Sequence, residues 1–511
     1  MQSLFDQGPP PPCPAPFNMA AHVLAHADDA PDKIALAVVG LSGAERWSYG
    51  RLKDAVLGTA TGLINLDLKP GDIVLIRLGN TVEFPIAYLG AIAAGLVPVP
   101  TSSQLTEGEV AKIAAELKPR AVFRGAGIAC PKLPGVAMID EAALSAMQAL
   151  PPASYNRGDP DRLGYIVYTS GTSGNARAVM HAHRAIWARR MMHDGWYGLG
   201  REDRLMHAGA FNWTYTLGTG LMDPWSVGAT ALIPAAGVDP KALPLLMKRH
   251  EATIFAAAPG VYRKILNDHD RIDLPRLRHG LTAGEKVSDA IRDDWRAAAG
   301  TELYEAFGMS ECSTFISGSP THPAKPGTLG APQAGRRVAL VDDTGTPVPI
   351  GESGVIAVST RDPGLMLGYL GAEEETRARM RGEWFLTGDL GVMDEDFQIT
   401  YSGRADDMMN AGGYRVSPLE VEQALGGIPG VTEIGVTDVE VKEDTRLIWA
   451  FYTGPAPLDE AQLIAVAGER LARYKQPRGF LHVAELPRNP NGKLKRRALS
   501  ALWQASRAET P

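Results

Sequence analysis

The stretch that most constrains this chain is Tyr168-Thr169-Ser170-Gly171-Thr172-Ser173-Gly174, running on to Arg177. It is a hydroxyl-and-glycine loop with almost no bulk, and it follows an apolar run at residues 163–168 that reads as a buried strand. Glycine admits positive φ and lets the backbone approach a ligand closely. The hydroxyl groups and backbone N–H groups then face one space. Such a concavity binds anions, with a polyphosphate as the natural guest. Arg177 adds a positive charge just beyond the loop.

At 511 residues the chain is too long for one compact core, so two or more domains are expected. An apolar content of 45% and a charged content of 21% suit a soluble globular protein. The net charge of −7 argues against a nucleic-acid binder. Cys13, Cys130 and Cys312 lie far apart and form neither a disulfide framework nor a zinc spacing, which points to a reducing, cytoplasmic setting. No apolar run reaches the roughly 18 residues of a membrane span. The proline-rich start, residues 1–17, lacks a basic region followed by an apolar one, so it reads as a disordered lead-in and not as a signal peptide.

The expected fold is α/β plus α+β. A large domain, residues 18–405, alternates helices (19–26, 49–65, 84–94) with short strands (34–39, 73–78, 96–100, and later 229–233, 252–257, 280–283). That rhythm argues for parallel-rich sheets covered by helices. Gly and Pro become dense after residue 320, so residues 320–403 read as a β-rich subdomain with strands at 338–341 and 354–358. Residues 406–511 read as a small mobile α+β domain. Within it, Ser417-Pro418-Leu419-Glu420 is a capping box with proline at the first helical position. The helix it starts runs to about Leu425. Strands follow at 434–439 and 447–452, then a helix at 459–472.

The loop resembles the phosphate-binding signature Y-T-S-G-T-[ST]-G-x-P-K-G of the adenylate-forming superfamily of acyl-CoA synthetases, non-ribosomal adenylation domains and luciferases. The match holds through Gly174, then Ala176, Arg177 and Ala178 replace proline, lysine and glycine. Lysine to arginine keeps charge but not shape. Four further stretches follow in family order. Glu305-Ala306-Phe307-Gly308-Met309-Ser310-Glu311 is similar to the motif whose aromatic, here Phe307, stacks on adenine and whose carboxylate, here Glu311, holds Mg²⁺. A lone carboxylate is sufficient, because Mg²⁺ keeps phosphate and water ligands. Gly284-Glu285-Lys286 falls where the family lines its adenine pocket. Asp389, in Thr387-Gly388-Asp389, matches the aspartate that accepts both ribose hydroxyls; a carboxylate offers two acceptors and no donor. Arg404 and Arg415 resemble nucleotide contacts, Asp406 falls at the hinge, and Gly412 and Gly413 would let a pantetheine arm pass. Lys493, in Asn489-Pro490-Asn491-Gly492-Lys493-Leu494, matches the catalytic lysine.

The resemblance implies a two-step ligase using ATP, Mg²⁺ and coenzyme A on a small-molecule carboxylic acid, with no nucleic acid and with a homodimer left open. Catalytic roles fall to Lys493, Glu311 and Thr169, and the loop from Thr169 to Gly174 with Arg177 cradles phosphate. The acid pocket is implied beside residues 207–221 and near Met309. Residues 208–222 carry no charge and include Phe211, Trp213 and Tyr215, so an uncharged apolar or aromatic acyl group is expected. Two alternatives stay open: a stand-alone adenylation enzyme that loads a carrier-protein phosphopantetheine, and a nucleotide-binding protein without catalysis. Other motifs fail. There is no G-x-S-x-G elbow, Gly492-Lys493 is followed by Leu494 and is no Walker loop, and His181 and His183 lack further ligands nearby.

Overall fold

The computed structural model describes residues 1–169, 177–405, 407–411, 414–442, 445–488 and 492–508. The chain divides into two compact units. One comprises Met1–Leu4, Ala339–Ala357 and Leu386–Pro511, the other Phe5–Val338 and Val358–Phe385.

The larger unit is built on a nine-stranded sheet. Its strand order is Ala331–Pro332, Ser313–Ser317, Glu302–Met309, His279–Ala283, Ile254–Ala257, Arg204–Ala208, Thr230–Pro234, Ile34–Val39, Ala44–Ser48. From Glu302–Met309 to Ile34–Val39 the neighbours run parallel, and the outer strands run antiparallel. Every residue of the Ile254–Ala257 and His279–Ala283 strands is buried. Parallel strands covered on both faces read as continuous apolar runs for this reason. A second, all-parallel sheet orders Val97–Pro100, Ile73–Arg77, Ala121–Arg124 and Ala137–Asp140.

The Tyr49–Asn65 helix shows how local sequence sets these elements. The Ser48 hydroxyl caps it by accepting from Arg51 N at 3.3 Å. Leu52, Val56, Ala60 and Leu63 recur at helical spacing and are buried. Gly62 lets Met147 close in, since a Cβ there would stand 2.3 Å from Met147 Cγ. Trp196, Trp225 and Trp295 are fully buried. Burying one such ring removes about 200 Å² from water and contributes at most about 5 kcal/mol.

The smaller unit contains the antiparallel pair Glu433–Lys442 and Thr445–Thr453, with Phe480–His482 parallel to the latter. Alternation along Thr445–Thr453 divides its faces. Ile448, Ala450 and Tyr452 join Val421, Leu425, Leu463 and Ala467 from the Pro418–Leu425 and Glu460–Arg470 helices. Trp449 and Phe451 meet Leu499 and Trp503 of the Arg496–Ala508 helix.

Two expectations are corrected. The start of the chain is ordered: Leu4–Asp6 is a strand, Ser3 and Phe5 are buried, and Ser3 exchanges backbone bonds with Val348 and Leu340 at 2.8 and 2.9 Å. Leu386–Pro511 groups within one unit, and there the Ile399–Arg404 strand is tied to the next helix, the Ser417 hydroxyl donating to Ser402 O at 2.5 Å. The capping box is half formed. Ser417 Oγ accepts from Glu420 N at 3.4 Å, while the Glu420 carboxylate pairs with Lys475.

Candidate active site

The glycine-rich loop connects two antiparallel strands, Leu163–Thr169 and Arg177–Ala182, which pair with Thr169 opposite Arg177. Thr169 ends the first strand. Ser170, Gly171, Thr172, Ser173 and Gly174 lie outside the described residues. Ala178, standing where the signature has glycine, is buried within the ladder. The Arg177 guanidinium donates from Nε to Glu375 Oε2 at 2.6 Å. Its charge is thus shared with a carboxylate 198 residues away, on the Glu373–Ala378 helix, that no local motif marked.

The second motif occupies the end of the Glu302–Met309 strand and the turn that leads back into Ser313–Ser317. The ladder bulges between Phe307 and Gly308. A Cβ on Gly308 would lie 2.1 Å from Ser313 O, so only glycine passes here. Cys312 N closes the turn on Met309 O at 3.2 Å. Glu311 Oε1 accepts from the Tyr369 hydroxyl at 2.7 Å, and its carbonyl accepts from Met366 N at 2.7 Å. Burial first, and then the Glu311 carboxylate, push the Tyr369 pKa upward. Phe307 is half-buried, edge-on to Phe315 at 5.5 Å. Glu305 and Ala306 are buried in the sheet, and the Glu305 carboxylate is committed to Arg292 and to Val287 N. Burial raises the Glu305 pKa, with Arg292 opposing the shift.

Gly284 has φ of +97°, and a Cβ on it would stand 2.7 Å from Trp213 Cζ2. Trp213 therefore packs on the segment expected to line the adenine pocket. Glu285 and Lys286 follow, half-buried, with burial lowering the Lys286 pKa.

A small cavity is lined in part by the 309–312 turn. Met309, Ser310, Tyr88, Tyr165, His181, Thr214, Arg189 and Arg336 are among its walls. Phe211 and Trp213 are not. Phe211 is 1% exposed and packs against Phe84 at 5.6 Å. Sequence reasoning also missed the cavity's charges. The uncharged run ends just before Asp223, which holds Arg189 at 2.8 and 2.6 Å. Neither residue belongs to a recognisable motif. Their pairing comes from two segments that meet only in the fold.

In the smaller unit, Asp389 lies on the Trp384–Met393 strand opposite Arg404. Asp389 Oδ1 accepts from the Tyr401 hydroxyl at 2.8 Å, and Oδ2 is 3.6 Å from Arg404 Nη1. Tyr401 is a neighbour the motif did not reveal. Asp406, Gly412 and Gly413 lie outside the described residues, and Arg415 sits on the Tyr414–Val416 strand. Lys493 is exposed. The backbone on either side of it is anchored. Arg488 donates to Gly492 O at 2.5 Å and to Glu433 at 2.9 Å, while Arg496 pairs with Glu422 and donates to Val436 O at 2.5 Å.

Comparison with known proteins gives these residues a context. Residues 23–370 match the family model of AMP-binding enzymes, and residues 420–493 match that of the AMP-binding enzyme C-terminal domain. The chain is 28% identical over 525 residues to the mitochondrial acyl-coenzyme A synthetase ACSM2A of Homo sapiens, covering 95% of this chain and 91% of that protein. It is 29% identical over 504 residues to the 3-hydroxybenzoate–CoA ligase of Aromatoleum sp. (strain CIB), covering 92% and 94%. The crystal structure of the anthranilate CoA ligase AuaEII in complex with anthranoyl-AMP superposes with a TM-score of 0.88 at 25% identity, covering 97% of this chain and 99% of that one.

Proposed function

The chain belongs to the AMP-binding enzyme family, and from that premise we propose that it activates an uncharged apolar or aromatic carboxylic acid for transfer to coenzyme A. It is an AMP-forming acid–thiol ligase. The carboxylate attacks the α-phosphorus of ATP and pyrophosphate leaves. The thiol of coenzyme A then attacks the acyl carbonyl, and AMP leaves. The acid needs no general base, because it is already ionised.

One observation carries the choice of site. The turn at 309–312 gives Met309 and Ser310 to the cavity wall and, between Ser310 and Cys312, presents Glu311 to Tyr369. An acid pocket and a phosphate-side carboxylate on one rigid turn hold the two reactants in register. Glu311, half-buried and fixed by Tyr369, suits Mg²⁺, which needs few protein carboxylates. When bound, the ion neutralises charge on the phosphoryl oxygens. Thr169, the 170–174 loop and Arg177 would cradle the phosphates, Phe307 would meet adenine beside Gly284, and Asp389, braced by Tyr401, would take the ribose. Lys493 would bring a compact charge to the α-phosphate. Asp406 would act as hinge for a mobile small domain, with Arg404 and Arg415 on the nucleotide and Gly412 and Gly413 beside the thiol's path.

Incubating the protein with MgATP, coenzyme A and mixed carboxylic acids should yield an acyl-CoA by mass spectrometry. Hydroxamate formed with hydroxylamine, without any thioester, would redirect the acceptor to a carrier protein. Absence of pyrophosphate release with every acid would sink the reading. Among the described residues no helix is long and apolar enough to cross a membrane. The three free cysteines favour a reducing compartment, and we place the chain in the cytoplasm. A homodimer is the assembly to test by light scattering.

A further inference from the structure

Both arginines in the cavity wall are already neutralised. Arg189 is held by Asp223 through two hydrogen bonds at 2.8 and 2.6 Å, and Tyr197 donates to the same carboxylate at 2.7 Å. Arg336 is held by Asp362 at 2.5 Å. All four side chains are nearly or fully buried. A second carboxylate on the substrate would enter this space without a spare positive charge to meet it, at a high desolvation cost.

The wall is nevertheless not apolar. Among the described residues, Tyr88 Oη and His181 Nδ1 are buried without a hydrogen-bond partner. Their side chains belong to residues that are 0% and 3% exposed. The Tyr165 ring links them, stacked on His181 at 4.9 Å and 6.2 Å from Tyr88. His181 Nε2 lies 2.8 Å from Ser310 O, which makes Nε2 the N–H that donates. In the neutral ring Nδ1 is then an acceptor. Burial keeps the ring neutral, holding its pKa down to about 4. Both residues line the cavity, and a buried acceptor or hydroxyl left unmet carries a penalty that the right ligand removes.

We propose that the acid taken by this chain carries a hydroxyl group on its body, which donates to His181 Nδ1 and accepts from Tyr88 Oη. This rests on the ligase reading above and narrows it. A methoxy group in the same place can accept but not donate. A parent acid without the hydroxyl leaves both wall atoms unmet. Sites built to hydrogen-bond a substrate hydroxyl discriminate strongly against analogues that lack it.

The test uses the full chain with MgATP and coenzyme A. The probes are benzoate, its three monohydroxy and three monomethoxy derivatives, butanoate, 3-hydroxybutanoate and succinate. At least one hydroxy acid should exceed its unsubstituted parent, and its methoxy counterpart where the set holds one, by about tenfold or more in kcat/KM. In Tyr88→Phe and in His181→Phe the ratio of hydroxy acid to parent should fall at least about fivefold. A merely structural role would lower both acids together and leave the ratio unchanged. Equal use of parent and hydroxy acids, as expected if ordered water meets these atoms, would overturn the inference while leaving the ligase intact. Preference for succinate would overturn it too. No pyrophosphate release with any probe would remove the ligase reading itself.

Discussion

The turn at 309–312 and the segment around Lys493 hold their chemistry in opposite ways. Glu311 is pinned by Tyr369 and by Met366 N, and the strand before it passes Ser313 through a glycine that tolerates no Cβ. Lys493 is exposed, on backbone anchored on one side by Arg488 and on the other by Arg496. Groups that must hold a ligand throughout a reaction cycle gain from rigid surroundings. A charge used in one step gains from a long flexible stem on a fixed base. The difference teaches that two charged side chains singled out by short motifs can stand in opposite surroundings, one half-buried and hydrogen-bonded, the other exposed.

The largest expected effect on activity breaks that contrast at its exposed end. Lys493→Ala should reduce pyrophosphate release by about 10²–10³-fold, the loss typical of one preorganised charge or donor. Thioester formation from chemically prepared acyl-adenylate should continue, which a coupled assay would show. At the rigid end, Asp223→Ala leaves the Arg189 guanidinium buried without its partner. Urea denaturation should report a loss of about 3–5 kcal/mol. Retention of full stability would mean that the Arg189 pocket rearranges easily. Arg496→Gln sharpens the comparison by loosening the base of the lysine segment. We expect kcat for adenylation to fall about tenfold with KM for the acid little changed, since the residue only positions another. A rise in KM alone would place Arg496 in binding instead.

A further effect concerns pH. Burial lowers the pKa of His22, His181 and His279 to about 4, and of His183 and His207 to about 3. The unfolded chain, with histidine near 6.5, binds more protons than the folded chain below that value. The stability of these neutral rings is therefore fully present above pH 6.5 and is lost as pH falls toward pH 4. Both His207 ring nitrogens lack partners among the described residues. Replacing His207 by leucine should shrink the stability difference between pH 7.5 and pH 4.5 by about 2 kcal/mol, read from urea midpoints.

Much of this protein was legible without its fold. The Ile34–Val39 strand and the Tyr49–Asn65 helix have the bounds their patterns imply. The strand preceding the glycine loop is there too. So is the Pro418–Leu425 helix behind Ser417. These features depend on periodicity, capping and φ preference over a few residues, which a sequence carries in full. Local signals were also overlooked, such as the Thr106–Glu109 capping box that opens the Glu107–Leu117 helix. The order of short motifs along the chain pointed to the family.

What no local pattern could supply was the environment of each side chain. Phe211 packs against Phe84, far back in the chain. Arg177 meets Glu375, Glu311 meets Tyr369, and Arg189 meets Asp223 across separations of 198, 58 and 34 residues. The strength of a charge or hydrogen bond depends on what surrounds it and on how much water is excluded. The sequence by itself therefore determined many of the elements and the family. Only the tertiary structure decided which polar atoms are spoken for and which, like His181 Nδ1 and Tyr88 Oη, remain at a cavity wall. Desolvation is a property of the assembled interior, not of neighbours along the chain.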